Sequence, residues 1–216
     1  MKGITQRVLV LTSAALTAAA VSVAPAPLAQ ARAEALDMQL GIQFNPDGNP
    51  GQCGGRTGEQ WKYSATPTDV IRFDTDSRAG GCQLAFGIYD PENELPGLIA
   101  TYTFRSTPGG DPAQCGNQGT HRIPVSTTSR TFGPVIRIDT DNRQGGCDLT
   151  FALSTPRGES IGVNYTSDGD RAQCGNALPP SDGSFSPVDN DREYTLRIDT
   201  DDRPGGCRLR LRLDVL

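Results

Sequence analysis

An all-β fold of three internal repeats, each of about four strands and stabilised by disulfides, is what this sequence predicts. Three observations carry the prediction. The stretch IRFDTDSRAGGC (71–82) returns as IRIDTDNRQGGC (136–147) and as LRIDTDDRPGGC (196–207), and repetition at a fixed period sets an architecture. Apolar and polar residues alternate in short runs, the period of a strand with one buried face. Glycine- and proline-rich turns separate these runs, and no amphipathic helix of useful length follows the first 31 residues.

Residues 1–31 have the make-up of a secretory signal peptide: Lys2 and Arg7, an apolar run from Val8 to Val23, then Ala29-Gln30-Ala31. Cleavage is expected after Ala31, with Ala31-Arg32-Ala33 as a second small-residue site two positions on. The signal is alanine- and arginine-rich in the bacterial manner, and it predicts a secreted protein. No later run approaches the roughly 20 apolar residues of a spanning helix, so no membrane span is expected. Cleavage removes two of the 20 basic residues and none of the 25 acidic ones, leaving a charge of −7. An acidic chain with one tryptophan lacks the basic, aromatic surface that nucleic acid requires.

Residues 32–216 then form a single β domain, with copies at about 37–90, 97–155 and 160–216. Each copy opens on an alternating run: MQLGIQFN from Met38, LIATYTFR from Leu98, SIGVNYTS from Ser160. A turn-rich link leads to a cysteine in a Gln-Cys-Gly setting (Cys53, Cys115, Cys174). A weaker strand follows, around Gln60–Ala65, Arg122–Ser126 and Phe185–Val188. The motif comes next, and its last cysteine (Cys82, Cys147, Cys207) opens a strong strand. Period two places Cys82, Leu84, Phe86 and Ile88 on the buried face, as it does Cys147, Leu149, Phe151 and Leu153, and Cys207, Leu209, Leu211 and Leu213. The Gly-Gly before each late cysteine predicts a reversal, so each motif reads as a strand, a glycine loop and its antiparallel partner.

Six cysteines in an exported chain predict disulfides. The pairing that treats the copies alike most simply is Cys53–Cys82, Cys115–Cys147 and Cys174–Cys207; its rival joins each late cysteine to the next early one. Twelve strands in three equivalent copies fit a pseudo-threefold body, a β-trefoil or a β-prism, better than three small modules in tandem, because a sixty-residue unit buries little alone.

The motif also carries the candidate ligand-binding residues. On the face opposite the apolar set stand Arg72, Asp74, Asp76 and Arg78, then Arg137, Asp139, Asp141 and Arg143, then Arg197, Asp199, Asp201 and Arg203. A calcium loop would need an oxygen where Arg78, Arg143 and Arg203 stand, so no metal is expected, and Asp76, Asp141 and Asp201 read as turn caps. Asp-Thr-Asp lacks the glycine of the aspartic-protease Asp-Thr-Gly and occurs three times rather than twice. The one histidine, His121, has no counterpart in the other copies, and no nucleophile elbow is present. No catalytic residue and no cofactor is assigned.

Recognition is what remains. Three outward Arg/Asp patches, each near a Gln-Cys-Gly loop (Gln52, Gln114, Gln173, with Asn117 and Asn176), suit an extracellular glycan or protein partner, with avidity from repetition. The same patches equally suit struts between copies. In the third copy, Arg208, Arg210 and Arg212 form an outward comb where the first copy has Gln83, Ala85 and Gly87; such a departure from symmetry suits a special contact, and it equally suits a solvated edge that discourages strand pairing, the plain reading. The sequence thus predicts a secreted, lectin-like binding protein. The alternatives are a secreted protease inhibitor presenting a clamped loop such as 108–114, and a structural or adaptor subunit of an extracellular assembly.

Overall fold

The computed structural model describes residues 37–55, 57–74, 80–139, 145–177, 184–199 and 205–215, with the side chain of Asp74 excepted. Among them there are strands and short 3-10 turns but no α-helix. The first copy supplies β1 (Gln39–Pro46), β2 (Gly58–Tyr63), β3 (Ile71–Asp74) and β4 (Gly81–Tyr89). The second supplies β5 (Ile99–Ser106), β6 (Cys115–Gly116), β7 (Gly119–Ile123), β8 (Val125–Ser126), β9 (Ile136–Asp139) and β10 (Gly146–Ser154). The third supplies β11 (Ser160–Ser167), β12 (Ser186–Val188), β13 (Tyr194–Asp199) and β14 (Gly206–Asp214).

These strands form three open sheets. The first runs β2-β1-β4-β9-β6, with β8 beside β4; the second runs β13-β10-β5-β7; the third runs β12-β11-β14-β3. All pairings are antiparallel except the two-residue contact of β4 with β8. Among the described residues no sheet closes into a barrel, so closure of the trefoil kind is not what the pairing shows.

The strand that opens each motif does not pair with the strand after its glycine loop, contrary to the hairpin expected from Gly-Gly. It crosses to another copy. β9 lies beside β4 with Ile138 opposite Cys82, β13 beside β10 with Ile198 opposite Cys147, and β3 beside β14 with Phe73 opposite Cys207. Each sheet therefore holds strands of one copy and the motif's opening strand from the next, the third sheet taking its visitor from the first copy.

The glycines explain this exchange. The first of each pair (Gly80, Gly145, Gly205) has positive φ, at 107°, 95° and 117°, a conformation that glycine tolerates best. The second has a different role. A Cβ on Gly81, Gly146 or Gly206 would collide with the carbonyl of Ile138, Ile198 or Phe73 on the incoming strand. It is bare so that a neighbouring backbone can approach.

The late strands bury the alternate residues that period two predicts, from Cys82 to Ile88, Cys147 to Leu153 and Cys207 to Leu213. They meet in one apolar core, where the Phe86 ring stands edge-on to Tyr102 and to Phe151, 5.2 Å from each centroid. All six cysteines are paired, within copies as expected: Cys53–Cys82, Cys115–Cys147 and Cys174–Cys207, with Cα separations of 5.3, 5.7 and 5.6 Å. The glycine after each early cysteine (Gly54, Gly116, Gly175) backs onto the Cβ of Arg72, Arg137 or Arg197. Each disulfide thus joins a loop lying on a visiting strand to the late strand of its own copy, and so couples two sheets.

Candidate functional site

The motif residues fall into two groups. Arg72, Arg137 and Arg197 occupy equivalent places on β3, β9 and β13. Arg72 donates from Nε to Asp168 Oδ2 of the third copy at 2.7 Å, and Arg137 makes the same bond to Asp47 of the first copy. Arg137 also holds Asp139 at 2.6 Å, and Arg197 approaches Asp199 at 3.7 Å. These acids were expected to face outward, yet Asp139 and Asp199 are 5% and 7% exposed. Each lies opposite a glycine, Gly81 or Gly146, which has no side chain of its own to compete for the space. Asp76, Arg78, Asp141, Arg143, Asp201 and Arg203, and the Asp74 side chain, lie outside the described residues.

The glutamines of the Gln-Cys-Gly loops do not line a ligand surface. Gln52, Gln114 and Gln173 are fully buried, drawn in by the disulfide that follows each. The turns carrying them are capped by Asn49, Asp111 and Asp170, whose side chains accept amide hydrogens two residues on, each at 2.9 Å. Asn117 spends its amide on the Val135 carbonyl at 2.7 Å. His121 packs its ring 5.2 Å from Tyr102.

Electrostatics at the junctions follow from these pairs. Burial works to raise the carboxyls of Asp47 and Asp168. The arginines more than offset it, Arg137 at Asp47 and Arg72 with Arg208 at Asp168, so both carboxyls are held below the ordinary range.

The outer faces of the three sheets differ in what covers them. On the first, the Trp61 ring lies across Gly41 and Gly87, and Phe132 packs on it with centroids 4.9 Å apart. On the third, Phe185 lies over Gly162 with the Arg212 guanidinium 4.5 Å from its ring centroid. On the second, Thr101 and Arg122 hold the equivalent places, and no aromatic lid is found among the described residues.

That uncovered face carries a groove of about 510 Å³ lined by Thr103, Arg105, Asp148, Thr150, Glu193 and Thr195, with Ser106 and Pro108 at its end. Register builds it. Thr120, Thr103, Thr150 and Thr195 stand in one row across all four strands. Their hydroxyls bond pairwise, Thr103 to Thr120 at 2.9 Å and Thr150 to Thr195 at 2.8 Å. Next to them run Arg105, Asp148 and Arg197, with Asp148 in the middle. Among the described residues Asp148 closes no ion pair with either arginine. Burial raises its carboxyl, and the charge of Arg197 only partly opposes this. A smaller groove, about 200 Å³, lies at the same register on the first sheet, where Gln43, Asn45, Gln83, Ala85 and Val135 replace Thr103, Arg105, Asp148, Thr150 and Thr195.

Sequence reasoning missed this site by looking along the motif. Asp148 and Thr150 sit one and three positions past the late cysteine, Thr103 and Arg105 on the opening strand, and Glu193 and Thr195 just ahead of the third motif, and only the strand register brings them together. Comparison with known families, curated proteins and solved structures finds no match.

Proposed function

We propose that this chain is an exported, non-enzymatic binding protein, lectin-like in action and prism-like in build, that takes a polar extracellular polysaccharide on the outer face of its second sheet. Export is supported by the leader composition of residues 1–31 and by the pairing of every cysteine. No helix among the described residues is long and apolar enough to cross a membrane.

The observation that carries the reading is the set of uncommitted polar groups in the groove. Arg105, Asp148 and Glu193 line it without an ion pair among the described residues, beside a row of threonine hydroxyls. A sugar presents vicinal hydroxyls that both donate and accept. A carboxylate next to a guanidinium and a row of hydroxyls answers that pattern, and ligand sites are typically concave with a few convergent polar groups. The groove at the same register of the first sheet offers neutral amides and supplies a second contact for a repeating polymer.

The test is retention of the mature protein on insoluble neutral polysaccharides. Arg105→Ala, Asp148→Asn and Thr150→Val are each expected to weaken retention, the two charged positions about tenfold, with the melting temperature little changed because all three positions lie on the sheet's outer face, outside the apolar core. Unchanged retention in the triple variant would place the site elsewhere.

A further inference from the structure

We infer that the outer face of the third sheet is a separate site for an acidic polysaccharide, with Arg210 as its central cation. The inference stands apart from the groove on the second sheet and uses none of its residues. Arg208, Arg210 and Arg212 project from one face of β14, successive positions being about 7 Å apart along a strand. β14 is an interior strand, paired with β11 on one side and β3 on the other. The comb therefore does not protect an edge, and the plain explanation for three arginines falls away.

The charges are incompletely neutralised. Arg208 binds Asp168 at 2.9 Å, but that carboxylate already serves Arg72. Arg212 binds Asp214 at 2.6 Å and rests on Phe185. Arg210 donates its Nε to a neutral acceptor, the Thr68 carbonyl, at 3.2 Å, so its position is fixed while its charge is left intact. Buttressed guanidiniums with spare N–H donors are what bidentate capture of a carboxylate or phosphate needs.

The equivalent positions are Gln83, Ala85 and Gly87 in the first copy and Asp148, Thr150 and Ala152 in the second, so the comb belongs to the third sheet alone. A glycan suits the face better than a nucleic acid. Among the described residues its aromatic ring is Phe185, which Arg212 already stacks and Arg210 approaches at 6.0 Å, so it offers no platform for bases.

The experiment measures retention of the mature, disulfide-intact protein on immobilised polygalacturonate, on a phosphate-bearing wall polymer, on dextran and on duplex DNA, at low and high salt. Salt-sensitive retention on one or both acidic glycans, but not on dextran through this face, is expected; which of the two is held tells carboxylate from phosphate recognition. Arg210→Gln is the principal variant because, among the described residues, its hydrogen-bond partner is a backbone carbonyl and it closes no ion pair. It should weaken acidic-glycan retention about tenfold. Equal retention of wild type and Arg210→Gln, no retention on either acidic glycan, or stronger retention on DNA would each overturn the inference. Failure of dextran binding alone would bear only on the groove.

Discussion

Arg72 and Asp168 are 96 residues apart in sequence and 2.7 Å apart in space, joined by a bond from the first copy to the third. Arg137 and Asp47 repeat it from the second copy to the first. Both arginines are carried into a foreign sheet by the strand exchange, and both acids lie just past the end of an opening strand, at Asp47 beyond β1 and Asp168 beyond β11. The junction between the second and third copies is different: Thr107 takes the acid's place, accepting the Gly146 amide on Oγ1 at 3.0 Å.

Asp168→Ala removes a carboxylate that two arginines share in a half-buried setting. A loss of about 2 kcal/mol is expected, or roughly 4–8 °C in melting temperature for a chain of this size. A double-mutant cycle with Arg72→Ala, read by thermal unfolding, should give a favourable coupling of about 1 kcal/mol. Additive losses would mean that the contact does not hold the copies together.

Acid should release the same junctions. Asp47 and Asp168 titrate below the ordinary carboxylate range in the fold and near 3.9, roughly, when unfolded. Their contribution is therefore complete above about pH 4 and is lost as pH falls through the lowered folded values. Thermal unfolding across the acid range checks this: the Asp47→Asn, Asp168→Asn double variant should lose less stability on acidification than the wild type. An equal acid slope in both proteins would put the acid sensitivity elsewhere.

Strand positions, buried faces and disulfide partners were legible because each depends on local pattern. Cys82, Leu84, Phe86 and Ile88 alternate in the sequence and are buried together. The pairing partner of β3 was not legible. When three copies carry the same motif, Phe73 can face the late cysteine of any copy with the same local chemistry, and loop geometry decides. The role of Gly81 was hidden for the same reason, since the atom it makes room for, the Ile138 carbonyl, belongs to the next copy. The groove was illegible because Asp148 gains meaning only from Arg105 and Arg197 on either side of it.

Each disulfide closes a loop of 29, 32 or 33 residues and joins two sheets. Replacing Cys174 and Cys207 together by serine should cost about 3–4 kcal/mol on the loop-entropy estimate. Because the Cys174 loop lies on β13, which pairs with β10, amide exchange should rise first in β13. Uniform loosening across all three sheets would argue that the bridge acts only through the unfolded chain.

Thr107 and Asp148 are a linked pair of choices. In the first copy the equivalent residues are Asp47 and Gln83, which share a side-chain hydrogen bond, and Asp47 also neutralises Arg137. An aspartate at 107 would meet Arg197 in the same way but would stand next to the Asp148 carboxylate. Thr107→Asp alone should therefore change stability little, because attraction to Arg197 and repulsion from Asp148 offset. Thr107→Asp with Asp148→Gln reproduces the first junction and should stabilise the protein by up to about 1 kcal/mol, the upper range for a partly exposed pair. The same double change removes the acid of the groove and ties up Arg197. If the groove is the polysaccharide site, the double variant melts higher and binds neutral polysaccharide more weakly. A variant that melts higher and binds as before would separate the junction from the site.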